Sequence, residues 1–536
     1  MEVEARSGSL TPIHRLDSDS LTEIFQQVVR DGDPRILDSL KNMASLTKDD
    51  NIRFLESFQN LLRMTQVCRR WRALGLDLPE LWGDFAFVSN EPDAFETLLR
   101  RARDAPLRFQ TLNIASIEQQ RYVSEHPERF RVIERPFPFV HWDPVALAGR
   151  YLPRLERGLF VVERQNEYYH LSLEPVTMPR IEVLAFSSFY IPFMAPNLRS
   201  LRISAPRSGP FEPVVLVSVL KSLPQLSSLQ LRNCLPISFT HNGKGLDLIE
   251  LPNITSIDIK DWCLPLIAFF EQLRPTNPDC AVLIAIRYQV DISQAEIERL
   301  VVVLRPYLMT LSRDALFVHL DSDPYIAAFC RADIVEKEGR IDHIEMRRHA
   351  VGIFGENLYS ITTQLYTSFL DQLPASQIQY LQTDALSSEI SIDDLSSLFQ
   401  KPPLGASLRM IKYGLQYQDL AQYRFAEERM APLLGIEPTI WPQLTDLTLS
   451  GDACLYVLTV TNGATSLLSW LEGRKAAGYP LETLCLQGGV YDIDRPGLES
   501  VVERGTWDQI KAVVRVVDEW RFKIGVRTRW FGPFIG

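Results

Sequence analysis

Long hydrophobic runs are missing from this sequence. Its strongest apolar stretches, 214–220 and 300–304, fall far short of the roughly 20 residues that a membrane-spanning helix requires. Basic excess is missing too. Lys and Arg number 56 against 67 Asp and Glu, a net charge of −11. A chain so acidic is ill suited to nucleic acid as its main partner, because phosphate neutralisation needs a cationic footprint. The seven cysteines, Cys68, Cys234, Cys263, Cys280, Cys330, Cys454 and Cys485, are scattered, odd in number and contain no C-x-x-C pair. That pattern fits reduced thiols of the cytoplasm or nucleus rather than a disulfide framework. The opening MEVEARSGSLTPIHRL is polar and carries no apolar core, so no secretory signal is expected there.

Catalytic signatures are likewise lacking. No phosphate loop, H-E-x-x-H, G-x-S-x-G or dinucleotide fingerprint occurs. The Asn-Gly-Lys-Gly run at 242–245 lacks the preceding glycine and following hydroxyl of a phosphate loop and reads as a turn. Asp321/Asp323 and Asp492/Asp494 have no closing Glu at calcium-loop spacing and read as turn acids. The sequon at Asn253 has no weight without a secretory route. The eight histidines stand singly, without ligand spacing. No enzyme activity, cofactor or metal is expected, and neither nucleic acid nor membrane as a partner.

What is present is a chain of 536 residues, 46% hydrophobic and 23% charged, ordinary for a soluble protein with a sizeable core. Its length suits three or four domains, or fewer if one is a long solenoid. Near the start, Leu21, Ile24, Phe25 and Val28 recur at helical spacing within LDSDSLTEIFQQVVR, and Asp17 is placed to cap that helix. A second helix is expected at about 57–76, with Leu61, Met64, Cys68 and Trp71 on one face. A third starts at Pro79, with Leu78, Leu81 and Trp82. Three short helices with such wide apolar faces must pack together and leave some surface for a partner. Arg63, Arg69, Arg70 and Arg72 read as the solvated side of the second helix.

The ordered set L-x(4)-LTEIF, then LLRMTQVCRRWRALGLDLPELW, resembles the F-box-like motif of many fungal proteins, over residues 10–88. The resemblance implies a helical module that binds the Skp adaptor, and through it a cullin. The matching positions are Leu16, Leu21, Ile24, Phe25, Leu61, Val67, Cys68, Trp71, Leu81 and Trp82. Two features depart from the motif. Asp17 stands where the family has proline, and about 31–56, including Pro34 and LTKDDN, separates the two main helices. Lengthening a surface loop is thermodynamically mild, about 0.6 kcal/mol per doubling.

From about residue 105 a pattern L-x-x-L-x-L recurs: LRSLRI (198–203), LSSLQL (226–231), ITSIDI (254–259), LTDLTL (444–449) and LETLCL (481–486). Weaker copies are FQTLNI (109–114), IEVLAF (181–186), ALFVHL (315–320) and LRMIKY (408–413). The first three start 28 residues apart, within the range of leucine-rich repeats, and LIAIRY (283–288) nearly continues them. Each strand would point its leucines into a shared core, and helices such as 212–223 and 263–274 would close the turns. Pro179, Pro196, Pro224, Pro252, Pro442 and Pro480 are expected to end the preceding helices. Cys234 falls at the ninth repeat position, where this repeat type satisfies its turn with Asn or Cys. Pro206, Trp262, Asp452 and Gly489 stand there in other copies, and the spacing breaks down between about 320 and 440. A doubly wound α/β domain is the structural alternative. The segment 507–525 reads as an amphipathic helix capping the array.

The expected organisation is therefore α/β: an all-α F-box-like module at 10–88, an irregular leucine-rich-repeat solenoid at 105–506, and a capping helix and tail at 507–536. The expected function is that of a non-catalytic substrate receptor in a Skp–cullin–F-box ubiquitin ligase, with an unknown target protein on the array. The rival is a repeat scaffold outside any ligase.

Overall fold

The structure is a computed structural model. It describes residues 16–30, 48–110, 115–134, 144–161, 168–169, 173–205, 211–236, 248–287, 292–309, 313–320, 325–329, 336–337, 340–341, 350–355, 362–373, 378–385, 407–415, 430, 433–437, 439–451, 453, 457, 461–487 and 504–518. The chain forms two compact units, Met1–Pro210 with Ser222–Leu226, and Phe211–Lys221 with Ser227–Gly536.

Among its described residues, the first unit begins with the helices α1 (Ser18–Arg30), α2 (Lys48–Met64), α3 (Arg69–Leu76), α4 (Pro79–Phe85) and α5 (Pro92–Ala102). The helix expected at 57–76 is thus two helices, and α2 starts inside the stretch expected as an insertion. The chain breaks at Thr65–Cys68 for local reasons. The Thr65 hydroxyl donates to the Leu62 carbonyl at 2.7 Å, offering that carbonyl an alternative to the helix ladder. Thr65 and Val67 are β-branched, and Cys68 is extended at φ −157°, ψ 173°.

The bundle is held by aromatic contacts. Phe25 of α1 lies 5.6 Å from Trp71 of α3, and Phe54 and Phe58 of α2 lie 5.2 and 5.3 Å from Phe85 of α4. Trp82 donates its Nε1–H to the Gly75 carbonyl at 2.8 Å. A Cβ at Gly75 would stand 2.8 Å from the Phe25 ring, so glycine is what lets α3 approach α1. Below the bundle, the Phe87 ring sits among Phe95, Phe109 and Phe130 at 5.1, 5.0 and 5.4 Å. Through this cluster the helices continue directly into a parallel sheet.

That sheet runs in chain order through β1 (Leu107–Gln110), β2 (Phe130–Glu134), β3 (Arg157–Val161), β4 (Val183–Ser187) and β5 (Ser200–Ser204). Its buried rungs are Gly158–Leu184–Leu201 and Phe160–Phe186–Ile203. Helix α6 (Ile117–Glu125) joins β1 to β2, and its N-terminus carries a reciprocal Ser116–Gln119 capping box.

The second unit holds α7 (Pro213–Lys221), β6 (Ser228–Arg232), β7 (Ser256–Asp261), α8 (Cys263–Gln272), β8 (Ala281–Ile286) and α9 (Gln294–Leu308). It continues with β9 (Ala315–Leu320), β10 (Tyr325–Phe329), β11 (Val351–Gly355), α10 (Thr362–Asp371), β12 (Tyr380–Ala385), β13 (Met410–Leu415) and β14 (Asp446–Gly451). The last elements are α11 (Thr461–Ala476), β15 (Thr483–Gln487), α12 (Arg504–Val513) and β16 (Arg515–Asp518). Strand order is β6-β7-β8-β11-β10-β9-β12-β13-β14-β15-β16. All neighbours are parallel except β10, which runs against both β9 and β11. This excursion at 315–355 starts where the repeat spacing was seen to fail.

One apolar rung crosses all eleven strands: Leu229, Ile257, Val282, Val351, Ala328, Leu316, Leu381, Ile411, Leu447, Leu484 and Val516. Side chains alternate across a strand, so this line marks one core face; on the other face of the middle strands Ala315, Phe317, Tyr325, Ala327, Phe329, Ala350 and Tyr380 form a second buried cluster. Helices pack in sequence over it, α8 on α9 and α9 on α10.

Five of the six motif prolines, Pro179, Pro196, Pro224, Pro252 and Pro442, hold turns that start strands. In 178–181, 195–198, 223–226, 251–254 and 441–444, proline holds the second position of a turn. The first residue's carbonyl accepts the fourth residue's N–H at 3.4, 3.1, 3.2, 3.2 and 3.2 Å. The fourth residue is in each case the first Leu or Ile of the repeat motif, and the strand starts two residues later. The expected C-terminal helix also differs. It stops at Val513, and Val514, Val516 and Val517 lead into β16, as β-branched runs favour. The fold as described is mixed α/β with a large, mostly parallel sheet.

Candidate partner-binding surfaces

The ten motif residues of the helical module divide by burial. Leu21, Phe25, Leu61, Trp71, Leu81 and Trp82 lie inside it, none more than 7% exposed. Leu16, Ile24 and Cys68 are half-buried. Val67 is 57% exposed, at the bend between α2 and α3. Leu61 and Trp71, expected on one face of a single helix, belong to separate helices, and both face inward. Leu55 and Leu76, 40% and 36% exposed, are further apolar groups at the surface of α2 and α3.

The start of α1 is well determined. Asp17 accepts the Ser20 N–H at 2.7 Å, the capping role expected for it, and that bond holds its carboxyl below the usual range. Arg70, on the exposed side of α3, reaches back to donate to the Leu16 carbonyl at 2.6 Å. Arg72 donates to the Thr65 carbonyl at 3.1 Å. Two of the arginines read as a solvated face therefore tie the segment ends of the module together.

In the second unit, the turn after β6 is built as expected at one residue and differently at another. Cys234 is buried and its thiol donates to the Arg232 carbonyl at 2.9 Å. From the next strand, Asp261 supports the same turn: its Oδ2 accepts the Leu235 N–H at 2.8 Å and its Oδ1 accepts the Trp262 N–H at 2.9 Å. Asp261 is 0% exposed. Burial pushes its carboxyl up to about 6, against the pull of backbone N–H groups and Arg287. Sequence reasoning noted only that Trp262 holds the ninth position of this copy, and it did not single out Asp261, one position earlier. An acid at the end of an alternating strand, on its inward-facing side, was the available signal.

Burial pushes the thiols of Cys263 and Cys280 up to about 12, away from thiolate formation. Among the described residues no group of three His, Cys, Asp or Glu side chains is arranged to hold a metal ion. No described helix is long and apolar enough to cross a membrane. The Asn242–Gly245 turn and the acid pairs Asp321/Asp323 and Asp492/Asp494 lie outside the described residues. No protein-family model matches this chain, and no curated protein matches it either.

Proposed function

We propose that this protein is a substrate-receptor subunit of a Skp–cullin–F-box ubiquitin ligase. The N-terminal helices dock the Skp adaptor, which links to a cullin, and an irregular leucine-rich-repeat solenoid presents the target. The observation that carries the reading is a helical bundle with the F-box-like motif, fused without a spacer to a sheet whose strands follow L-x-x-L-x-L turns. Proximity then does the work: a target held beside the ubiquitin carrier reacts at high effective concentration, and the chain needs no catalytic group of its own. Support for the solenoid over a doubly wound domain comes from strand order. Outside the β9–β11 excursion it follows chain order within each unit, without the reversal of a doubly wound sheet.

The adaptor-facing groups in this reading are Val67 with Leu16, Ile24 and Cys68, and the six buried motif residues shape the module behind them. A second reading, a repeat scaffold outside any ligase, is favoured by that same burial, since six of ten motif positions are spent on the core. Affinity purification of the full chain and of Val67→Asp separates the two. Recovery of Skp and cullin subunits with the first and loss with the second supports the ligase. Recovery with neither supports the scaffold. Point variants serve better than deleting the module, because Phe87 and α4 cover β1.

A further inference from the structure

Arginines 63, 69, 70 and 72 line the outside of the bend between α2 and α3, and all are exposed. Two of them tie the module together: Arg70 donates to the Leu16 carbonyl and Arg72 to the Thr65 carbonyl. Arg63 and Arg69 do neither. Arg63 donates to the neutral Asn60 side chain at 3.3 Å, and among the described residues neither Arg63 nor Arg69 is paired with a carboxylate. Val67, 57% exposed, lies between them in the chain. The chain turns tightly there, since the Gln66 and Val67 N–H groups donate to the Arg63 and Met64 carbonyls at 3.0 and 3.3 Å. The bend therefore carries an exposed apolar tip with a cation before it and a cation after it.

Local electrostatics account for one of these cations and not for the other. Arg63 sits in the last turn of α2, where a positive charge suits the helix dipole. Arg69 opens α3, whose first turn contains no acid, and Cys68 before it makes no side-chain capping bond. A cation at a helix N-terminus is unfavourable. A residue serving only as solvated surface would be better as Ser, Asp or Glu at that place. In a chain of net charge −11, an arginine held against the dipole beside an exposed valine is placed to meet charge from outside the chain.

We propose that Arg63 and Arg69 form a cationic rim around Val67, and that the adaptor surface docking there is an apolar pocket edged by carboxylates. This deepens the substrate-receptor reading and rests on it. Val67 is then seated out of water, while the two arginines meet carboxylates at the solvent-reached edge. Rim charges act mainly on the rate of encounter and its salt dependence, and the desolvated apolar contact acts on the lifetime of the complex.

The test is binding of the full-length protein to immobilised, purified Skp adaptor, followed by surface plasmon resonance at low and high salt. Association of the parent should slow as salt rises. Arg63→Glu with Arg69→Glu should lower the association rate at least about tenfold at about 50 mM salt, and the gap should close towards about 500 mM as charges are screened. Val67→Asp should lose binding at both. Arg100→Glu, exposed on α5, should bind like the parent. Melting curves establish that the double variant is folded, and the milder Arg63→Gln with Arg69→Gln serves if it is not. Salt-independent association of the parent, or a folded double variant that binds like it at low salt, would overturn the rim and leave the ligase reading standing. No adaptor binding by the parent at either salt concentration would overturn both.

Discussion

Val67 and Trp71 are four residues apart, yet they have opposite fates, and the contrast separates interface from core. Trp71 packs against Phe25 with the rings tilted, and Leu61 is wholly buried. Truncating a buried Leu or Trp to Ala costs about 2–5 kcal/mol each. Leu61→Ala with Trp71→Ala is therefore expected to lower the helicity and melting temperature of the protein, and any lost adaptor capture would follow from unfolding. Val67→Asp, at an exposed site, should leave the melting curve in place and act on adaptor capture alone. Retained helicity and stability in the double variant would mean that the packing around Phe25 has been misassigned. A pH effect is expected at Asp261. A carboxyl raised to about 6 in the folded state and near 3.9 when unfolded binds its proton more tightly in the native protein. Its contribution to stability is full below pH ~3.9 and is lost as pH rises through about 6. Asp261→Asn does not titrate. The difference in melting temperature between the parent and this variant should shrink from pH 4 to pH 7, and a constant difference would count against the assignment.

At the scale of elements, the strands that carry the L-x-x-L-x-L pattern were legible, whereas β2, β3, β10, β11, β12 and β16 and the helix breaks were not. Strands β4, β5, β6, β7 and β14 announce themselves through a turn with proline second and a Leu or Ile fourth, followed by inward residues at period two. Local chemistry of this kind is written in a few consecutive residues. Pro252 pre-sets the backbone of such a turn, so Pro252→Ala should cost about 0.4–1 kcal/mol through the unfolded chain. A lower urea midpoint at unchanged slope would show it. The division of 57–76 into α2 and α3 was less visible, because Leu61, Met64, Cys68 and Trp71 keep helical spacing straight across the bend. What decided the matter was a side chain-to-carbonyl bond from Thr65, which competes with the ladder and leaves no mark on periodicity. The reversal of β10 was invisible for another reason. Pairing against β9 and β11 is non-local, and an alternating strand reads the same in either direction. In the module, the motif located the bundle, but burial, which depends on how the helices pack together, determined which of its residues reach the surface.

On the scale of the whole second unit, stability depends on an uninterrupted core line. The rung from Leu229 to Val516 gives each strand its apolar partner on either side, so an end created within it exposes both a row of backbone groups and a stripe of large side chains. A second link crosses the same region. Arg474 of α11 is 1% exposed and donates to the Trp441 and Leu444 carbonyls at 2.9 and 3.2 Å, fixing the proline turn that starts β14. Its guanidinium also lies 5.4 Å over the Trp470 ring, and burial lowers it to about 10. Ending the chain after residue 440 removes β14, β15 and β16 together with α11 and α12. It leaves Ile411 and Tyr413 of β13, both wholly buried in the full chain, at an open edge. The truncated protein is expected to aggregate or run as a higher oligomer in size-exclusion chromatography with light scattering, and to melt at a lower temperature. The physical cause is the unpaired edge rather than any loss of binding residues. A monomer with the parent melting curve would mean that the strands from β6 to β13 close their own core, and the continuous rung would then carry none of the cooperativity assigned to it.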